Sequence, residues 1–450
     1  VLPFENLSTD EDSEIFADGL TEDILTHLSK VKDLHVISRS SVMRYKNTTE
    51  TNSQIAKKLG VAYLLLGSIR KYGDEVRVTA KLILAENDEI ISQDQYDRTL
   101  TDIFAIQTEV SQKIVNALDI NMSLSESQNI ASIATQSLEA YKLFNMGKKE
   151  AEKRNKESIA KSIELYEEAI ALDSTYAEAY AEIAHSIYLQ TYYSGRRVAE
   201  AATAAAEYLG KAESINNNIA RVYSVKGLIL NIQGKSDEAK AAFTKALQLS
   251  PNDVTARQQY ATLHYYTEEY EEQLVQAEIA YKLDPLSFAS ANAYFTALLT
   301  NKRFSEAEDL MKKIETDDIE SNQSAIHRSY FRLYMDMRDY EKAKYHSEKI
   351  VVEMPIFRRF LGYCYAKLGD TAGAFRMIDS IKKDTPPFLY NHELAVVYSG
   401  LNMTDSVFHH LDTSRNKMSS IFKRDVGTFF EQYEENPRFK EILKAHGLLD

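Results

Sequence analysis

Apolar positions recur in two different rhythms along the chain. Up to about Leu118, strand-like alternation and helix-like spacing follow one another. Val1 to Phe4 is a short apolar run that predicts a strand, and Ile15 to Leu28 carries Phe16, Leu20, Ile24, Leu25 and Leu28 on one helical face. Leu34 to Ser38 predicts a second strand. Thr51 to Leu59 predicts a short helix stopped by Gly60, the residue that most readily takes the left-handed conformation of a helix end. A meander follows: Ala62 to Lys71, a turn at Tyr72-Gly73-Asp74, Val76 to Ala85 with Val76, Val78 and Ala80 alternating against Arg77, Thr79 and Lys81, and Ile90 to Tyr96. Thr101 to Leu118 closes the unit as a helix through Ile103, Ile106, Val110, Ile114 and Leu118. The order βαβαβββα predicts an α/β sandwich over residues 1–120. Residues 121–136 are rich in Ser, Asn and Gln without strong periodicity and are expected to form a linker or a fraying helix end.

From residue 137 no segment has a convincing strand pattern, and the text becomes self-similar. Tyr223, Gly227, Leu230, Ala239, Phe243, Ala246 and Pro251 mark one window. Thirty-four residues on, the same slots hold Arg257, Ala261, His264, Gln273, Ala277, Ala280 and Pro285, and a further thirty-four give Ala291, Phe295, Leu298, Ala307, Met311, Ile314 and Ile319. A 34-residue period with a small residue in each helix and a proline after the second is the tetratricopeptide (TPR) signature. Looser copies at Gly147/Tyr166, Ala184/Ala205, Phe331/Ala343, Gly362/Ala374 and Ala395/Val407 bring the expectation to seven to eight helix pairs over 137–420, with residues 421–450 as a cap. The fold class expected is therefore an N-terminal α/β sandwich followed by an all-α TPR superhelical solenoid.

The blocks VLPFENLSTDEDSEIFADGLTEDILTHLSKVKDLHVISRSSV, AKKLGVAYLLLGSIRKYGDEVRVTAKLI and QYDRTLTDIFAIQTEVSQKIVNAL closely resemble, in order, the TolB-like N-terminal domain that precedes TPR arrays in bacterial multidomain signalling proteins. The closing ENPRFKEILKAHGLL resembles the end of the same family, so the resemblance spans nearly the whole chain. It implies a sensory or interaction half attached to an effector such as a class III adenylate cyclase, a winged-helix regulator or a serine/threonine kinase. The chain opens mid-strand at Val1-Leu2-Pro3-Phe4 and is expected to be part of a longer protein. An extracytoplasmic position after an upstream membrane helix is favoured over the cytoplasm. The chain also departs from the family's pattern: Ser174 and Asn217 stand where proline is usual, and Lys226 fills a slot that is usually apolar.

Charge narrows the partners. With 53 Lys+Arg against 67 Asp+Glu, a net charge of -14 and no run of five or more basic residues, nucleic acid is not expected as a partner. Residues 1–122 hold 13 basic and 20 acidic residues, a net of -7, which leaves -7 for the other 328. No stretch of about 18 apolar residues is present, so a membrane is met only through an upstream helix. Oligomeric state is open, a dimer included.

Phosphate-loop, dinucleotide, zinc-protease, nucleophile-elbow and C-x-x-C motifs are absent, and no catalytic, cofactor or metal residue is assigned; the chain is read as a non-enzyme without cofactors. Adjacent His409 and His410 diverge by about 100° on a helix and read as surface residues. Cys364 reads as a packed core thiol. Asp18-Gly19 and Thr21-Glu22-Asp23 are read as a close helix–sheet approach at Gly19 with acids complementing a helix N-terminus, a docking surface being the alternative. In a solenoid each first helix turns one stripe inward. The face opposite the small packing residues contains Arg221, Gln258, Tyr265, Asn292, Arg328, Arg332, Arg359 and Tyr363. Arginines there can hold a carboxylate or acidic peptide bidentately, while pairing with neighbouring acids is the simpler reading. The expected function is protein or peptide binding through this groove in a regulatory module. The alternative is a small-molecule sensor with a polar pocket near the linker, controlling a fused cyclase or transcriptional regulator.

Overall fold

The computed structural model describes all residues except 9–10, 74, 100–101, 317–322, 385–386, 415–424, 447 and 449–450. Contacts group the chain into two compact units, Val1–Ala297 and Leu298–Asp450.

The first unit begins with a four-stranded sheet in the order β1 (Glu5–Asn6), β2 (Tyr63–Tyr72), β3 (Glu75–Leu84) and β4 (Glu89–Thr99). β1 is parallel to β2, and the other two pairings are antiparallel, with an irregularity where Leu82 and Ile83 face Ser92 and Ile90. One face is covered by α1 (Glu11–Ser29) and α4 (Ile103–Ala117), which bury Leu20, Ile24, Ile103, Ile106 and Val110 against Leu65, Ile69, Val76 and Val78. Tyr63, Tyr72 and Ile90 on the strands stay exposed, the usual state of an antiparallel sheet packed on one side. Gly67 is required where Phe4 crosses β2, since a Cβ there would lie 2.2 Å from the ring.

The expected first strand runs beside β2, with Leu2 N–H bonded to the Leu65 carbonyl at 2.9 Å and Leu7 N–H to that of Ile69 at 2.8 Å. Pro3 has no N–H to give, and the regular ladder is confined to Glu5–Asn6. The strand expected at Leu34–Ser38 is not formed. Ser38 N–H bonds instead to the Leu283 carbonyl at 2.8 Å, and its side chain caps α2 (Arg39–Val42). α3 (Asn52–Leu59) starts with a Thr51/Gln54 capping box and ends, as expected, at a left-handed Gly60 with φ 68°. The segment expected as linker holds α5 (Leu124–Ile130), capped by Ser123 and Glu126. It is tied back by Lys32 N–H to Glu126 at 2.9 Å and Lys30 Nζ to the Asn129 carbonyl at 2.8 Å.

Helix pairs follow: α6 (Leu138–Glu152) with α7 (Lys156–Leu172), α8 (Ala177–Tyr193) with α9 (Val198–Ile215), α10 (Ala220–Ile232) with α11 (Ser236–Leu249), α12 (Val254–Tyr266) with α13 (Tyr270–Leu283), and then α14 (Phe288–Thr300). The second unit contains α15 (Phe304–Thr316), α16 (Gln323–Asp336) with α17 (Tyr340–Ile350), α18 (Arg358–Lys367) with α19 (Thr371–Asp384), α20 (Pro387–Gly400) with α21 (Thr404–Thr413), and α22 (Pro437–Ala445). This is the TPR-like helical architecture expected. The small-residue slots do the work the period implied: a Cβ on Gly147 would sit 2.6 Å from Tyr166, and one on Gly227 2.7 Å from Phe243. Within each tight pair the turn carries one left-handed residue, at Arg154, Gly195, Gly234, Glu268, Arg338, Gly369 and Asn402. Such a residue ends the first helix and reverses the chain.

Candidate peptide groove

In the first unit the α/β part is fastened along the helix pairs. Tyr141 of α6 enters the core beneath the sheet, edge-on to Phe104 at 5.3 Å. Its hydroxyl donates to Asp23, which also accepts from Gln107 Nε2 at 2.6 Å. Burial raises the Asp23 carboxyl to about 7, against the opposing effects of Tyr141 and Lys148. Asp18 pairs with Lys46 at 2.7 Å and Lys149 at 3.1 Å, and Glu22 pairs with Lys148. A Cβ on Gly19 would stand 2.5 Å from the Tyr141 hydroxyl. The Asp18–Asp23 block is therefore a docking surface in the middle of α1, and Gly19 permits close approach to a helix, not to the sheet. Farther along, Asn252 Nδ2 donates to the Ser29 and Val31 carbonyls at 3.3 and 3.1 Å.

The strongest fastening is at Asp284, only 4% exposed. One carboxylate oxygen accepts the hydroxyls of Ser38, Ser40 and Ser41 at 2.5, 2.7 and 2.6 Å, and the other accepts Ser290 at 3.2 Å. The Leu286 N–H reaches Ser41 Oγ at 3.2 Å. Neither Asp284 nor the serines were expected from the sequence. The only signal was a serine-rich run after an apolar strand pattern, which reads equally as a loop.

Of the inward residues expected in this unit, Arg221, Gln258 and Tyr265 have partners of their own. Arg221 forms a fork with Glu182 at 2.7 and 3.0 Å and lies 2.7 Å from His185 Nδ1. Burial alone would raise Glu182, but Arg221 holds it well below the usual carboxylate range, while burial and the same guanidinium depress His185 to about 4. The simpler reading thus holds for Arg221. Gln258 donates to Ser290 at 2.6 Å, Tyr265 packs edge-on to Tyr266, and Asn292 is exposed.

A polar cleft of about 630 Å³ opens beside residues 132–137, lined also by Leu172, Asp173, Thr175, Glu178 and Asn216. Asp173 accepts from Thr135 Oγ1 at 2.6 Å and from the Thr175 N–H and hydroxyl at 2.9 and 2.6 Å. These bonds outweigh burial and keep its carboxyl below the ordinary range, whereas burial raises that of Glu178.

In the second unit the expected stripe divides. Arg328 is exposed, and Arg332 four residues on is half-buried. Arg359 and Tyr363, expected to offer themselves to a ligand, are 1% and 4% exposed. What covers them is the chain's own segment 425–433. Asp425 lies 3.5 Å from Arg359 and 2.9 Å from His392 Nε2. Phe429 stacks on Phe360 at 5.4 Å and meets Tyr363 edge-on at 4.9 Å. Gln432 Nε2 donates to the Ser399 carbonyl at 3.0 Å, and Glu431 pairs with Arg338 at 2.8 Å.

Elsewhere, Cys364 is fully buried beside Met335, its thiol pushed up to about 12 by burial, in line with a packed core thiol. His410 contacts Asn391 at 2.8 Å and stacks on Tyr398, and burial lowers it to about 4. Among the described residues no group of three or more His, Cys, Asp or Glu is placed to hold a metal ion, and no helix is long and apolar enough to cross a membrane.

Residues 1–115 match the family described as HilA/YgeH-like transcriptional regulator, second domain. A protein named putative adenylate cyclase 3 from Rhizobium meliloti (strain 1021) is 37% identical over 183 residues, which are 41% of this chain and 31% of that protein. The chain therefore spans about a third of the length of this curated relative. Among solved structures, a tetratricopeptide repeat protein from Parabacteroides merdae ATCC 43184 is similar with a TM-score of 0.43 and 17% identity, over 60% of this chain and 98% of that one. PilF of Pseudomonas aeruginosa gives a TM-score of 0.39 and 15% identity over 48% of this chain and 92% of its own.

Proposed function

We propose that the chain is a non-catalytic regulatory module that binds a protein or peptide along the inward face of its helix pairs. The observation that carries this reading is the segment 425–433, which already lies on that face and is held by a carboxylate on Arg359 and His392 and by a ring on Phe360 and Tyr363. Preformed helices lower the ordering cost of such binding, and a few aromatic and arginine anchors carry most of its affinity. The TolB-like resemblance of residues 1–120, the match to a second domain of transcriptional regulators and the relative named an adenylate cyclase support a place in a larger signalling protein, with the effector outside this sequence. An extracytoplasmic position is part of the same proposal. The test is capture of acidic peptides by the full chain and by its R328A/R332A variant. Capture should weaken about tenfold or more, as the loss of one or two desolvated charge contacts implies, and unaltered capture would remove these arginines from the groove.

A second reading rests on the 630 Å³ cleft at 132–137, where a small polar molecule would touch both the end of the α/β part and the first helix pairs. A thermal-shift screen of metabolites separates the two readings. A metabolite that raises Tm in the wild type and not in a Thr135→Val variant supports a sensor, and peptide binding with no metabolite shift supports the groove.

A further inference from the structure

Resting on the groove reading, we propose that the inward face of α18 and α20 is a binding site for a peptide carrying a carboxylate followed four and five residues later by two aromatic rings. Residues 425–433 are its resident occupant, which a partner segment of the same chemistry displaces. Three observations converge on this. The first is position. Capping the array is the task of α22, whose Phe439 packs on Phe408 at 6.3 Å and whose Arg438 pairs with Asp412 at 3.0 Å. Residues 425–433 join that cap through Phe430 and Tyr433, 6.1 and 6.2 Å from Phe439, but Asp425, Phe429 and Glu431 continue past it across α18 and α20 as far as Arg338 in the turn after α16.

The second is chemistry. A cap need only cover an apolar face. Here a carboxylate 2% exposed is buried with a guanidinium and an imidazole each 1% exposed. Buried ion pairs of this kind return little stability compared with apolar residues of the same size. What they supply is discrimination, because a peptide without the carboxylate would forfeit, in a buried setting, the contacts that Asp425 makes at 3.5 Å with Arg359 and 2.9 Å with His392.

The third is the repeat itself. Arg359 stands three residues before Gly362, and Arg328 and His392 stand three before Phe331 and Ala395, the equivalent packing positions. One slot is thus basic in three successive repeats. The resident segment engages two of its members, and Arg328 remains exposed. A resident segment competes at an effective concentration on the order of millimolar. A partner bearing one more carboxylate than the resident gains Arg328 and can overcome that advantage.

The experiment uses the full chain and a fluorescein-labelled peptide of the 425–434 sequence, Asp-Val-Gly-Thr-Phe-Phe-Glu-Gln-Tyr-Glu, read by anisotropy. Loosening the resident with Phe429→Ala, or with the milder Phe429→Leu, should tighten capture about tenfold relative to wild type, as the loss of an aromatic anchor implies. A peptide with Asn for Asp and Ala for the two Phe should not bind. Hydrogen exchange on the wild type is the second measurement: saturating peptide should speed exchange over 425–433. A folded Phe429→Leu chain that captures no peptide, or exchange at 425–433 that saturating peptide leaves unchanged, overturns the proposal. Capture that depends on Arg328 and ignores Phe429 overturns this site while leaving the broader groove reading intact.

Discussion

The contact at Asp284 allows a quantitative prediction. Asp284→Ala removes the acceptor of four hydroxyls, three of them on one oxygen at 2.5–2.7 Å, in a residue 4% exposed. A hydrogen bond to a charged group contributes about 1.5–3 kcal/mol. Three donors cannot all reach that value on one oxygen, whose lone-pair sites they share, and the cost of burying the carboxylate offsets part of the gain. The net loss expected for Asp284→Ala is about 3–5 kcal/mol. Asp284→Asn keeps an acceptor oxygen of the same size without the charge and should lose roughly 1–2 kcal/mol.

The loss should also be local before it is global. Ser38 N–H to the Leu283 carbonyl, Leu286 N–H to Ser41 Oγ and Arg44 to the Leu286 carbonyl at 3.2 Å all hang on the same contact. Urea unfolding measures the total. Hydrogen exchange over residues 34–46 against the β2–β3 core shows whether the serine loop releases first. A Ser41→Ala/Asp284→Ala double-mutant cycle should give a coupling of about 1 kcal/mol or more. A loss under about 1 kcal/mol with unchanged exchange at 34–46 would refute the reasoning, since it would mean that water replaces Asp284 at no cost.

Asp23 predicts a pH dependence. Its folded value of about 7 lies above the ordinary 3.8, so the folded chain keeps a proton that the unfolded chain has lost between these values. Its contribution to stability is full below about pH 4, falls as pH rises to about 7 and then levels, a change of up to about 4 kcal/mol at 1.36 kcal/mol per unit. The difference between wild type and Asp23→Asn in Tm measured from pH 4 to 8 isolates this slope, and an equal slope in both would remove Asp23 as its source. Gly227→Ala places a Cβ 2.7 Å from the Phe243 ring and should cost about 1–3 kcal/mol in urea unfolding, whereas Gly210→Ala, with nothing within 4 Å, should be neutral or stabilising. Glu268 is held at φ 61° in a pair turn, so Glu268→Gly should raise stability by roughly 0.5–1 kcal/mol, read as a small upward shift in Tm.

Regular, local features were legible in the sequence. Periodicity located the helix pairs because each pair repeats one packing problem, a small residue under a ring, as at Gly147 with Tyr166 and Gly227 with Phe243. Gly60 was legible for a similar reason, since the left-handed end needs only local information. Leu34–Ser38 was misread because an apolar run records burial and not strand pairing: Leu34 and Val36 pack on the core beneath the sheet, while the Ser38 N–H goes to the Leu283 carbonyl. The occupancy of the expected stripe was not legible. Arg359 and Tyr363 lie where the period places them, yet the partner that buries them is about 65 residues away in sequence and no spacing rule links Asp425 to Arg359. Asp284 was hidden for the same reason, its serines being more than 240 residues earlier.

The two units, each taken by itself, handle charge in one way. In the first, the acids Asp18 and Glu22 of α1 meet Lys149 and Lys148 of α6. In the second, Asp425 and Glu431 meet Arg359 and Arg338. In both cases an acidic segment flanking the helix pairs supplies carboxylates to basic residues on them, so part of the positive charge on the helices of this chain of net charge -14 is neutralised locally. The net of -7 in residues 1–122 is therefore in part complementary charge for the helix pairs, not a uniformly solvating coat. It follows that raising ionic strength should loosen the exposed pairs first, while the Arg359–Asp425–His392 group, closed off from solvent, should persist until its unit unfolds.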